Sequence, residues 1–284
     1  MTATITTIDL PSGTIEYATY GPEDSAHPPV VFVHGVAVDH RLWQPVAELL
    51  ADAGYRCYAP TLPLGSHRIP WGSQADRSPR GAATLVREFV AERNLSDATL
   101  VANDTGGAVT QFALDADPDF VRALVFTNCD AFDLFPPQPF RFVFALLRQR
   151  ALLKPLIESM RLRVLRHSPL GVGLLLAHPD PDLTWSVFQP LRTDARIRDD
   201  LIAFLQKIDR ADLAAVTPRM SRVTLPVTMV WGSDDRCFTP EHGRRFAAVF
   251  GDSRFIDVPG ARTFVSLDEP AAVADAIVAT SARV

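Results

Sequence analysis

One carboxylate, Asp104, has neighbours that suit a reactive role. It stands in the run Ala102-Asn103-Asp104-Thr105-Gly106-Gly107, with small residues two before it and two after it. A side chain displayed at the apex of a tight strand-to-helix turn needs that spacing, because bulk on either side would clash. The apolar run from Thr99 to Ala102 has the length and β-branching of a buried strand. Ala108, Val109, Phe112 and Ala113 recur at helical spacing behind it. Strand, abrupt small-residue turn, helix is the layout of a nucleophile elbow at the top of a parallel sheet, with Gly107 letting helix and strand approach. A carboxylate there can attack an electrophilic carbon and form an ester. The plainer alternative is that Asp104 only N-caps the helix, which leaves the small residues on both sides unexplained.

The turn resembles the α/β-hydrolase superfamily, and an Asp apex resembles its haloalkane dehalogenase and epoxide hydrolase branch. The resemblance covers nearly the whole chain outside one helical segment and implies the remaining site residues. His34-Gly35 would open the loop that supplies one oxyanion-hole N–H, from Val36, and Thr105 would supply the other. Trp231-Gly232-Ser233-Asp234-Asp235 would place the triad acid at Asp235, with Asp234 the lesser candidate; an Asp pair in a solvated turn is the plain alternative. The triad His belongs in the loop 259–270. Aligned on Phe264 and Asp268-Glu269-Pro270, its position is Thr263, and the Gly before it is Arg262.

That departure has chemical weight. In this branch the His activates the water that hydrolyses the ester. A Thr hydroxyl cannot, and general-base loss typically costs about 10² to 10⁴ in rate. An ester on Asp104 should therefore persist. Groups specific to the two reactions are missing as well. Thr105 and Val36 stand where dehalogenases carry halide-holding Trp and Asn. The four Tyr (Tyr17, Tyr20, Tyr55, Tyr58) all precede the elbow, so none is in the segment that supplies epoxide-protonating Tyr. Candidates for contact with a bound substrate are His34, His67 in the loop 60–70, Trp185 and Arg262. His67 reads otherwise as a solvated loop residue. Arg262 is expected to reach the carboxylates: as an ion pair with Asp235, as a partner of Asp104, or as a clamp on a substrate carboxylate.

The elements that must hold these residues follow from periodicity. Ile5 to Leu10 and Thr14 to Tyr20 read as a hairpin over Pro11-Ser12-Gly13. Continuous apolar runs at 28–33, 55–59, 121–127 and 225–232 read as strands covered on both faces, and 254–258 as the last strand. Helices are expected at 42–53, 79–93, 240–250 and 269–279. From about Asp130 strand-like runs stop. Phe132, Phe135, Phe140, Phe142 and Phe144 surround a Pro-rich entry, followed by helical stretches at 142–150, 155–167, 180–188 and 197–208. The expected fold is α/β, a mostly parallel eight-stranded sheet flanked by helices. Residues 1–130 and 223–284 would form the core, and 131–222 an inserted helical cap. The aromatic cluster could line an apolar pocket, though ordinary packing accounts for most of it.

Composition bounds the partners. The 284 residues are 47% hydrophobic with net charge −5 and no basic block, so a nucleic-acid partner is not expected. Cys57, Cys129 and Cys237 are odd in number and far apart, hence reduced thiols. The amino-terminal stretch lacks a basic region followed by an apolar run, and no apolar stretch reaches the roughly 20 residues of a bilayer span. The expectation is a cytoplasmic monomer or homodimer, with no membrane partner, metal or cofactor, acting on a small, mostly apolar molecule. Three readings stay open: a hydrolase-type or lyase enzyme with a modified triad, a parent reaction using another base such as His167 or His178, and a non-catalytic binder.

Overall fold

The computed structural model describes residues 3–283; Met1 and Thr2 of the stretch read for a targeting segment lie outside them. Strands β1 (Thr4–Leu10) and β2 (Gly13–Tyr20) form the expected hairpin. The remaining strands are β3 (Val30–Val33), β4 (Cys57–Pro60), β5 (Thr99–Asp104), β6 (Ala123–Cys129), β7 (Val227–Gly232) and, at the far edge, β8 (Ser253–Val258). They build one eight-stranded sheet in the order β1-β2-β4-β3-β5-β6-β7-β8. β3 to β8 are parallel, and only the pairings of β1 with β2 and of β2 with β4 are antiparallel.

The continuous apolar runs are explained by burial on both faces. Val31, Val33, Leu100, Ala102, Leu124 and Phe126 pack on one side. There they meet α2 (Pro79–Glu92), α3 (Thr105–Ala116) and a later helix ending at Ala247. Val30, Phe32, Val101, Val125 and Val230 face the other way. They meet α1 (Gln44–Asp52) and the helix that closes the chain. A strand packed on two sides needs no polar alternation. All three cysteines are free and buried.

Between β6 and β7 the chain is helical: α4 (Phe140–Leu147), α5 (Arg150–Ser159), α6 (Arg163–Arg166), α7 (Pro181–Ser186), α8 (Gln189–Thr193), α9 (Ala195–Gln206) and α10 (Arg210–Val216). The expected helix over 155–167 is corrected. Pro155 suggests a helix start, since proline suits the first turn, but α5 begins at Arg150 and runs through it. The chain then breaks at 160–162 before α6. Asp180, Asp194 and Asp209 cap α7, α9 and α10 by accepting backbone N–H bonds in the first turn. After β7 come α11 (Pro240–Ala247), α12 (Val265–Asp268) and α13 (Pro270–Ser281). Among the described residues no helix is long and apolar enough to cross a membrane.

Candidate active site

The β5–α3 turn has the strain its sequence implies. Asp104 has φ 52° and ψ −131°, a region an L-residue rarely adopts, at a cost of about 1–3 kcal/mol. Pairing of β5 with β6 slips between Ala102 and Asp104. The glycines are required by contact. A Cβ on Gly106 would overlap the carbonyls of Val33 and His34, and one on Gly107 would overlap the Cys129 side chain on β6. A Cβ on Gly35 would overlap the Asp104 carboxylate itself. The capping alternative fails: Asp104 holds the N-cap position of α3, but its side chain makes no cap hydrogen bond.

The carboxylate lines a cavity of about 290 Å³ between the sheet and the helical insertion. Val36 and Ala37 border it from the β3 loop; Phe140, Phe142, Phe144, Leu147 and Ile157 border it from α4 and α5. Of the aromatic cluster, Phe132 and Phe135 pack in the core instead. Burial pushes the Asp104 carboxyl up to about 7; the Thr105 N–H opposes the rise, the Asp235 charge adds to it, and the Val36 N–H opposes it. The N–H of Ala37, next along the loop, is already spent on the carbonyl of Leu64, at 2.9 Å.

Asp235 is buried and fully bonded. One oxygen accepts the N–H groups of Cys237 (2.7 Å) and Phe238 (3.1 Å). The other accepts Asn128 Nδ2 and the Thr263 hydroxyl, each at 2.8 Å. Burial raises its pKa to about 6, with those bonds holding it back. Thr263 thus takes the acid-facing place in the loop but offers it a hydroxyl.

Three further residues were not singled out by sequence. Asn103 donates to the Thr263 carbonyl (2.7 Å) and to Thr127 Oγ1 (2.7 Å), which pins the 263 loop to β5. Asn128 bridges Asp235 and the Gly232 N–H. Asp130 is fully buried, and among the described residues neither of its oxygens has a hydrogen-bond partner in good geometry, the Thr105 hydroxyl lying nearby. Burial raises its pKa well above the usual range, the Asp104 charge adds to this, and the Thr105 hydroxyl opposes it. The available signal was polar residues ending otherwise apolar strands.

Four substrate-contact candidates are placed elsewhere. His34 is buried, its Nδ1 donating to the Gly35 carbonyl (2.8 Å) and its Nε2 accepting the Leu62 N–H (2.8 Å), so it braces the loop. His67 is buried rather than solvated, between the Gly65 N–H (3.2 Å) and Asp200 on α9 (3.3 Å). Trp185 stacks under the guanidinium groups of Arg192 and Arg166, outside the cavity lining. Arg262 pairs with neither Asp104 nor Asp235. Its guanidinium donates to the carbonyls of Gly173 (2.7 Å) and Leu176 (3.1 Å) in the insertion. The alternative bases are also elsewhere: His167 bonds Thr184 (3.0 Å) and His178 is exposed. Among the described residues no His lines the Asp104 cavity.

The family model described as Alpha/beta hydrolase family matches residues 30–276. Haloalkane dehalogenase 2 of Mycobacterium tuberculosis is 24% identical over 95% of this chain and 92% of its own length. Among solved structures, haloalkane dehalogenase DbeA from Bradyrhizobium elkani USDA94 superposes with a TM-score of 0.79 at 19% identity, covering 100% of both chains. A thermophilic esterase from Thermogutta terrifontis superposes with a TM-score of 0.71 at 20% identity, over 98% of this chain and 97% of the esterase.

Proposed function

The chain belongs to the alpha/beta hydrolase family, and from that premise we propose that it is a hydrolase-type enzyme whose Asp104 carboxylate attacks a small, apolar substrate. One observation carries this. The carboxylate stands on a strained turn with the Val36 and Thr105 N–H groups beside it, and it faces an apolar cavity. In the first step an Asp104 oxygen bonds to a saturated carbon, and the leaving group departs with the electron pair. In the second, water adds to the ester carbonyl, and the two N–H groups hold the oxygen that becomes negative. Collapse expels the alcohol, which takes one proton of the water, and the carboxylate is restored when the other proton is lost to solvent.

With a hydroxyl at Thr263 the second step lacks a base, and Asp235 has only its own hydrogen-bonded shell to serve. The ester is therefore long-lived. Among the described residues Ser159 and Ser168 are the only hydroxyl side chains in the cavity lining, so the leaving group must depart with little assistance. A second reading is favoured by one fact: a carboxyl near pH 7 is matched to proton transfer at neutrality. Lyase or isomerase chemistry at an acidic C–H would then use Asp104 as base.

Intact mass after incubation with 1-chlorohexane separates these. A persistent alkyl adduct, mapped to Asp104 and absent from Asp104→Asn, is the expected result. Rapid halide release without an adduct would mean that another base completes the cycle. Inert behaviour towards every alkylating probe would leave the base or binder reading in its place.

A further inference from the structure

The helical insertion is charged against the rest of the chain. Residues 140–170 carry seven Lys or Arg and a single acid, Glu158, in a protein of net charge −5. Arg141, Lys154 and Arg163 are exposed and have no acidic partner among the described residues. The same segment holds large apolar side chains in solvent: Val164 is 83% exposed, Leu162 63% and Phe142 59%. Phe142, Leu165 and Leu170 both reach solvent and line the Asp104 cavity. Apolar surface therefore runs from outside the molecule to the reactive carboxylate, on a segment whose exposed unpaired charges are positive.

We propose that this basic apolar face of α4 to α6 docks on an anionic lipid surface, from which apolar molecules enter the cavity. Apolar side chains flanked by Lys and Arg are what interfacial binding needs, since the former enter the headgroup boundary and the latter meet lipid phosphate. Span length argues against crossing a bilayer, and docking needs no span. A protein partner explains the exposed apolar residues but gives no reason for their continuity with an apolar cavity. The occupant that accounts for both is the phase in which apolar substrates concentrate.

The test is flotation of the full chain with vesicles of phosphatidylglycerol and phosphatidylcholine, against vesicles of phosphatidylcholine alone. Binding is expected to the anionic vesicles only, and to weaken as salt rises. A Leu162→Asp, Val164→Asp double variant should lower the bound fraction about tenfold. An Arg141→Glu, Arg163→Glu variant should do the same, and both should keep the parent melting temperature. Neither pair lines the cavity, so alkylation of Asp104 by a soluble probe is unchanged. No flotation, or flotation that both variants leave intact, overturns the proposal. A concentration-dependent dimer that Val164→Asp dissolves, with no vesicle binding, reassigns the face to a second copy of the chain and also overturns it. Flotation is read without turnover, so its failure leaves the Asp104 chemistry standing, and the reverse holds.

Discussion

Asp104 weakens the fold it serves. Its carboxyl titrates near 7 in the folded chain and near 4 in the unfolded one. Between those values the folded state holds a proton that the unfolded state has released, so stability falls as pH rises through the window and is flat above it. Asp104→Asn removes the liability. It should stabilise by on the order of 2 kcal/mol at pH 8, discounted because the carboxylate faces the cavity, and by nothing below pH 4. Thermal melts of both proteins at the two pH values check this. The same titration sets reactivity, since only the ionised carboxylate attacks. The rate of alkylation by 1-chlorohexane should rise with pH to a plateau, with a midpoint near 7. A midpoint near 4 would mean an ordinary solvated Asp. At the opposite side of the site, Thr263→His sets an imidazole against Asp235. It should shorten the life of the Asp104 ester at least about tenfold, read as decay of the adduct mass.

At the scale of elements, the elbow depends on backbone approach. A methyl at Gly107 has nowhere to go but into Cys129, so Gly107→Ala should cost about 1–3 kcal/mol in urea unfolding and displace the apex. This much was legible in sequence, because a strand buried on both faces, a small-residue turn and an apolar helical face are local patterns. The expected oxyanion loop, the Asp235 turn and Thr263 were reached through family likeness, and the structure joins Asp235 and Thr263 by a hydrogen bond. What sequence hid are meetings between distant segments. His67 is buried because Asp200, 133 residues later, closes over it. Arg262 is long enough to reach either way, and the carbonyls of Gly173 and Leu176 decide its direction. Asp130 is marked in sequence only as a polar residue closing an apolar strand; its burial beside Asp104 follows from where β6 ends.

Across the whole molecule, the open question is what keeps the insertion seated over the sheet. The loop after β8 answers it with polar bonds. Asp268 accepts the N–H groups of Ala177 (2.9 Å), Arg262 (3.0 Å) and His178 (3.2 Å). Phe264 N–H reaches the Leu175 carbonyl at 2.9 Å, and the Arg262 guanidinium takes two more carbonyls of the same segment. Segment 173–178 is thus held to the core by one loop, the loop that carries Thr263. Arg262, expected beside the carboxylates, acts instead as a mechanical tie between insertion and core. Arg262→Ala removes two of these bonds and leaves two carbonyls to find other donors, at about 1–2 kcal/mol. Asp268→Ala strips an acceptor from three N–H groups and should cost more. Both should raise the rate of limited proteolysis within 173–178 while the sheet core stays resistant, because the bonds lost lie between the two parts rather than within either. Equal resistance of both variants and parent would mean that apolar contact alone seats the insertion.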